Sequence, residues 1–135
     1  MYENTKNKTY KPDLVYPELS YQIVGFLFDI FLQLGYGYRE NQYQKAIEIA
    51  FNNAKLSYKK EVPIKIRYRE QFIATNYLDF LVEDKIIIEL KQGNQFNQKD
   101  IDQLYNYLKA TGLKLGILAR FTRSGVKFKR IVNVI

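Results

Sequence analysis

Residues Tyr77 to Lys91 constrain this chain more than any other stretch. They read Tyr-Leu-Asp-Phe-Leu-Val-Glu-Asp-Lys-Ile-Ile-Ile-Glu-Leu-Lys, two apolar strands joined by a short polar turn. Charge interrupts both strands: Asp79 in the first, Glu89 and Lys91 in the second. A carboxylate inside a buried strand is costly unless it is paired or bound to a metal. Glu89 and Lys91 are two residues apart and so share a strand face. The turn decides where Asp79 lies. If Glu83, Asp84 and Lys85 form a three-residue turn, Val82 pairs with Ile86 and Asp79 falls opposite Glu89, with Cβ atoms roughly 5 Å apart. A two-residue turn would put the carboxylates on opposite faces. The expectation is therefore a three-residue or bulged turn. The plain alternative is a structural Glu–Lys pair at a strand end beside an unrelated Asp near a turn.

The flanking segments supply the layers. Over residues 18–34, Ile23, Phe26, Leu27, Ile30, Phe31 and Leu34 recur at helical spacing, and Gly35 and Gly37 end the helix. A second helix is read over 38–55 from Tyr43, Ala46, Ile47, Ala50, Phe51 and Ala54. Glu40 lies in its first turn, where it can complement the helix dipole or serve a site; periodicity leaves both open. Strands follow at 56–69, where Val62, Ile64, Ile66 and Tyr68 alternate with Pro63, Lys65, Arg67 and Arg69, then at 72–82 and 85–91. Asn97 is suited to cap a third helix, with Asp100 at the capping-box position and Gly112 at its end. Residues 113–119 form a nearly continuous apolar run, as a buried parallel strand requires, and 126–134 return as a basic strand. The predicted order is ααβββαββ, an α/β fold with a central mixed sheet flanked by helices. Residues 1–17 are read as an arm or tail and 18–135 as a single domain.

Composition narrows the chemistry. The chain has neither Cys nor His. That excludes disulfides, thiolate zinc sites and Ser-His-Asp catalysis. What remains is carboxylates, lysine, hydroxyls or a hard metal ion with oxygen ligands. The net charge of +7 suits a polyanionic partner. Lys59, Lys60, Lys65, Arg67, Arg69, Arg120, Arg123, Lys127, Lys129 and Arg130 are candidates to follow a phosphate backbone, and no base-reading motif accompanies them. The apolar run Ile23–Leu34 is short and carries Asp29, so no membrane span is expected. The polar N-terminus carries no visible signal peptide, which makes a cytoplasmic protein the expectation.

A divalent metal such as Mg²⁺ takes one or two carboxylates with water and phosphate oxygens. Asp79 and Glu89 on adjacent strands meet that need, and Lys91 can assist an attacking water or balance developing charge. Gln103 and Tyr107, four apart beside the core face of the third helix, can hold a phosphate or serve as ordinary surface and packing residues.

Gly37-x-x-Glu40-x-x-Tyr43 followed by Ala46-Ile47 resembles the signature of the GxxExxY family of the PD-(D/E)XK nuclease superfamily. The resemblance runs on through Tyr77–Val82, Ile88-Glu89-Leu90-Lys91, Gln103–Leu108, Thr111–Leu118 and Lys129-Arg130-Ile131. It implies a restriction-endonuclease-like core of the RecB- and Cas4-like kind, and a divalent-metal-dependent nuclease acting on DNA with Mg²⁺ or Mn²⁺. It implies catalytic roles for Glu40, Asp79, Glu89 and Lys91. The metal would be held by Asp79, Glu89 and the Leu90 carbonyl, with Glu40 acting directly or through water. Gln103 and Tyr107 would be the QxxxY element that binds substrate. Phe31 and Tyr36 stand where family members often carry His and Pro, so any family histidine role is absent. The rival expectation is a non-catalytic nucleic-acid-binding or protein-interaction module on the same fold; a homodimer or a partner protein fits either reading.

Overall fold

The computed structural model describes residues 15–133. The expected arm over 1–17 lies almost wholly outside them, as does the end of the last predicted strand. The elements are α1 (Pro17–Leu34), α2 (Glu40–Asn53), β1 (Tyr58–Tyr68), β2 (Gln71–Val82), β3 (Ile86–Leu90), α3 (Gln98–Thr111), β4 (Leu115–Thr122) and β5 (Gly125–Val132). This is the predicted order, with boundaries moved by one to three residues. Helix α1 begins at Pro17, one residue earlier than expected, because proline's fixed φ suits the first helical position. Val15 and Tyr16, read as part of the tail, pack against the core.

The five strands lie in the order β1-β2-β3-β4-β5. All neighbours are antiparallel except β3 and β4, which α3 connects as a parallel pair. Every residue of β3 and β4 is buried, which explains their near-continuous apolar sequence. Helices α1 and α2 cover one face, where Ile23, Leu27, Ile47 and Phe51 meet Phe80, Val82, Ile86, Ile88 and Ile117. Helix α3 covers the other, where Leu104, Tyr107 and Leu108 meet Ile64, Leu78, Ile87 and Leu118. The α3–β4 contact is so close that a Cβ on Gly116 would lie 2.8 Å from the Leu104 side chain. Among the described residues, no helix is long and apolar enough to cross a membrane.

Two departures from regular strand geometry shape the centre of the sheet. Strand β3 pairs with β2 only at Phe80–Val82, so the β1–β2 hairpin continues beyond it as a two-stranded arm. Side-chain alternation also breaks at the root of this arm. Leu78 faces α3 while Phe80, two residues on, also faces away from Leu81 and packs on the α1–α2 side. Opposite this break, Glu61 of β1 takes a left-handed φ of 53°. A strict period of two would have kept Leu78 and Phe80 on one face.

Candidate active site

The turn after β2 holds three residues. Val82 pairs with Ile86 around Glu83, Asp84 and Lys85, with Glu83 and Asp84 both at φ 54°. Glu83 is fastened to the start of β1: its carboxylate accepts from the Ser57 N–H at 2.6 Å, and its own N–H donates to the Ser57 carbonyl at 2.8 Å. The register therefore runs Leu81↔Ile87 and Phe80↔Ile88, and Asp79 comes next to Glu89 as the turn length requires.

At that point the regular ladder gives way to side chains. The Asp79 N–H donates to Glu89 Oε2 at 2.7 Å, and the Leu90 N–H donates to Asp79 Oδ2 at 2.8 Å. Each carboxylate thus caps the other strand's backbone, and the strands separate beyond them. Glu89 is only 5% exposed. Burial, followed by the charge of Asp79, pushes its pKa up to about 8. Burial also raises the pKa of Asp79.

Lys91 lies one residue past β3, with its N–H on the Ala119 carbonyl at 3.0 Å. Its ammonium donates to Gln103 Oε1 at 2.8 Å and lies 3.9 Å from Asp100 Oδ1. Gln103 is thereby joined to the strand pair. Tyr107, one turn along α3, is largely buried and is near enough to Glu89 for that charge to help raise its phenol pKa, after burial itself.

Glu40 is the first residue of α2. The preceding connection is pinned by Tyr43, whose hydroxyl donates to the Gly35 carbonyl at 2.6 Å and whose ring stacks on Phe121 at 4.0 Å. Gly37 takes φ 107°, a conformation that favours glycine, so the Gly and Tyr of the Gly37–Tyr43 motif fix the connection that leads into Glu40. Glu40, Leu90 and Lys91 line one cavity of about 150 Å³. Burial raises the Glu40 pKa, Asp79 adds to the rise, and Lys91 opposes it. Glu40 thus faces the pair without a hydrogen bond to it.

Among the described residues, no three acidic side chains converge as a ready metal cage. The Asp79–Glu89 pair nevertheless fits a hard cation. Its donors are all oxygen, burial and the Asp79 charge disfavour a second negative charge on Glu89 that a cation would balance, and the backbone bonds engage one oxygen of each, leaving Oδ1 and Oε1 as donors. An ion such as Mg²⁺ needs no more than one or two protein carboxylates.

Sequence reasoning missed two residues here. Arg120, read as a candidate for tracking phosphates, is 2% exposed and ion-paired to Asp100 at 2.5 Å. It also donates to the Gln92 carbonyl, and its guanidinium lies 5.1 Å from the Phe96 ring centre. Asp100, read as a capping residue, does donate its N–H to Asn97 Oδ1 at 2.9 Å, but its side chain turns to Arg120 and Lys91. The one signal available was a basic residue inside the apolar run Leu115–Phe121. Arg130 is likewise engaged, with Ser20 Oγ at 2.6 Å and the Val15 carbonyl at 2.8 Å.

Comparison with known proteins agrees with this architecture. Among curated proteins, none matches the chain in sequence. The crystal structure of an alkaline exonuclease (LHK-Exo) from Laribacter hongkongensis superposes with TM-score 0.51 at 13% identity, covering 88% of this chain and 71% of that one. The crystal structure of SSO0001 superposes with TM-score 0.49 at 15% identity, covering 87% and 78%. The family model of the PD-(D/E)XK nuclease superfamily matches residues 17–131, and the chain belongs to that superfamily.

Proposed function

We propose that this protein is a divalent-metal-dependent nuclease that hydrolyses phosphodiester bonds in DNA, on the GxxExxY branch of its superfamily and related to the RecB- and Cas4-like enzymes. The observation that carries this reading is the Asp79–Glu89 pair, a half-buried and a buried carboxylate joined through each other's backbone where β2 and β3 part, with the Lys91 ammonium held by Gln103 just past the end of β3. Asp79, Glu89 and the Leu90 carbonyl would hold Mg²⁺ or Mn²⁺. When bound, such an ion lowers the pKa of its water and polarises the phosphoryl group. Lys91 orients the attacking water and balances the charge that develops on the phosphorus oxygens. Glu40 completes the negative rim from the α2 side, directly or through water. Gln103 fixes the Lys91 ammonium, and Tyr107 offers its hydroxyl to the substrate phosphate.

The test is cleavage of single- and double-stranded DNA by purified protein with Mn²⁺. Wild type is expected to cut, and Lys91→Ala to be inactive with an unchanged melting temperature. A wild type that cleaves neither DNA nor RNA with Mn²⁺ overturns the proposal. A non-catalytic nucleic-acid-binding module is the second reading, favoured by the lack of a third converging carboxylate among the described residues. It predicts DNA binding that ignores metal and survives Glu89→Gln. Calorimetric titration of Mn²⁺ into wild type and Asp79→Asn separates the two, since only the nuclease reading expects binding that the substitution abolishes.

A further inference from the structure

A larger cavity lies next to the candidate site. Gln103 and Tyr107 line a second cavity of about 760 Å³ between α3 and the β1–β2 arm. Lys65 and Arg67 from β1 and Lys99 from α3 also line it, with Asn76 and one carboxylate, Asp102, which accepts from Gln98 Nε2 at 2.9 Å. Three cations therefore border a cavity that Gln103, the residue holding Lys91, also lines.

The arm also exposes aromatic rings. Tyr68 is 62% exposed, Phe72 58% and Tyr77 60%. Two of the rings are accompanied by cations: the Lys65 ammonium lies 5.8 Å from the Phe72 ring centre, and the Arg69 guanidinium 5.4 Å from that of Tyr68. Phe72 pairs across the hairpin with Arg67, so ring and cavity cations occupy adjoining positions. Neither Tyr68 nor Phe72 belongs to either core.

We propose that this arm and the cavity behind it bind a single strand of DNA. The phosphates lie along Lys65, Arg67 and Lys99, a base stacks on Phe72, which shares the face of Arg67, and the strand leads to Asp79, Glu89 and Lys91. Cations alone would accept a duplex equally well. The Phe72 ring decides the class of substrate, because a base offers its flat face to a protein ring only when it is free of the duplex stack. This inference rests on the nuclease reading for where the strand leads.

The test measures binding apart from cleavage. Fluorescence anisotropy of a short labelled DNA oligonucleotide is followed in EDTA, as a single strand and annealed to its complement. Wild type is expected to prefer the single strand. Phe72→Ala is expected to weaken single-strand binding about tenfold and to leave duplex binding unchanged. The double variant Lys65→Ala/Arg67→Ala is expected to flatten the dependence of log affinity on log salt by about 1.4, for two lost phosphate contacts. Equal affinity for both forms, or a Phe72→Ala variant that binds like wild type, overturns the proposal. So does a wild-type dimer that Phe72→Ala converts to monomer, since the rings would then be a subunit contact. The two readings fail separately. No cleavage with Mn²⁺ but ring-dependent single-strand binding refutes the nuclease and keeps the arm, whereas cleavage without ring-dependent binding refutes the arm alone.

Discussion

Asp79 and Glu89 each accept a hydrogen bond from the other strand's backbone, at 2.8 and 2.7 Å respectively, where the β2–β3 ladder stops. The bonds hold together two carboxyls that ionise together only at a cost, since burial and the Asp79 charge keep the proton on Glu89 up to about pH 8. The resulting tension should be measurable before any substrate is added.

Asp79→Asn removes one charge and keeps an oxygen that can accept from the Leu90 N–H. Above about pH 8, where Glu89 also ionises, the metal-free variant should melt at a higher temperature than wild type. Mn²⁺ should raise the melting temperature of wild type and leave that of Asp79→Asn unchanged. Thermal melts with EDTA and with Mn²⁺ check both expectations. An equal Mn²⁺ shift in the two proteins would remove Asp79 from the metal site.

The pH dependence of metal-free stability follows from Glu89, whose carboxyl rises from an ordinary 4.5 to about 8 in the folded protein. Between those values the folded state holds a proton that the unfolded state has released. The contribution of Glu89 to stability is therefore fully present below about 4.5 and is lost as pH rises towards 8. Asp79 and Glu40, also raised, act in the same direction. Urea denaturation in EDTA at pH 5 and pH 8 should show a smaller loss for Glu89→Gln than for wild type. A saturating divalent ion should shrink the loss in wild type by favouring the ionised pair.

Arg120 and Asp100 form a mostly buried ion pair behind Lys91. Removing one partner leaves an uncompensated charge, so Arg120→Ala should cost about 3–5 kcal/mol. The double change Arg120→Met/Asp100→Leu should recover much of that stability. If the pair positions Lys91, the double variant should regain the fold with kcat still reduced and KM little changed. Denaturation curves and steady-state cleavage rates distinguish recovery of the fold from recovery of the rate.

Gly116→Ala tests the α3–β4 contact. Its added carbon would meet Leu104 at 2.8 Å. The expected loss is about 1–3 kcal/mol, as for overpacked cores. Leu104→Ala on the same background should give back part of it, measured by the same denaturation curves.

Local pattern determined much of this protein. The spacing of Ile23, Leu27 and Ile30 specified α1, and the apolar runs of β3 and β4 specified their central, buried places. The spacing of Val82 and Ile86 around a three-residue turn was enough to bring Asp79 beside Glu89, because strand geometry converts turn length directly into register. Tertiary structure decided what depends on contacts between distant segments. Arg120 and Asp100 are 20 residues apart, and only the packing of α3 over β4 joins them and turns an apparent phosphate-tracking cation into a buried partner. The break in alternation between Leu78 and Phe80 arises where two packed layers compete for one hairpin, so neither strand announces it alone. The same holds for the cavity between α3 and the arm. Periodicity describes one segment's exposure to an average environment, whereas burial of a charge or the opening of a cavity is set by which segments meet.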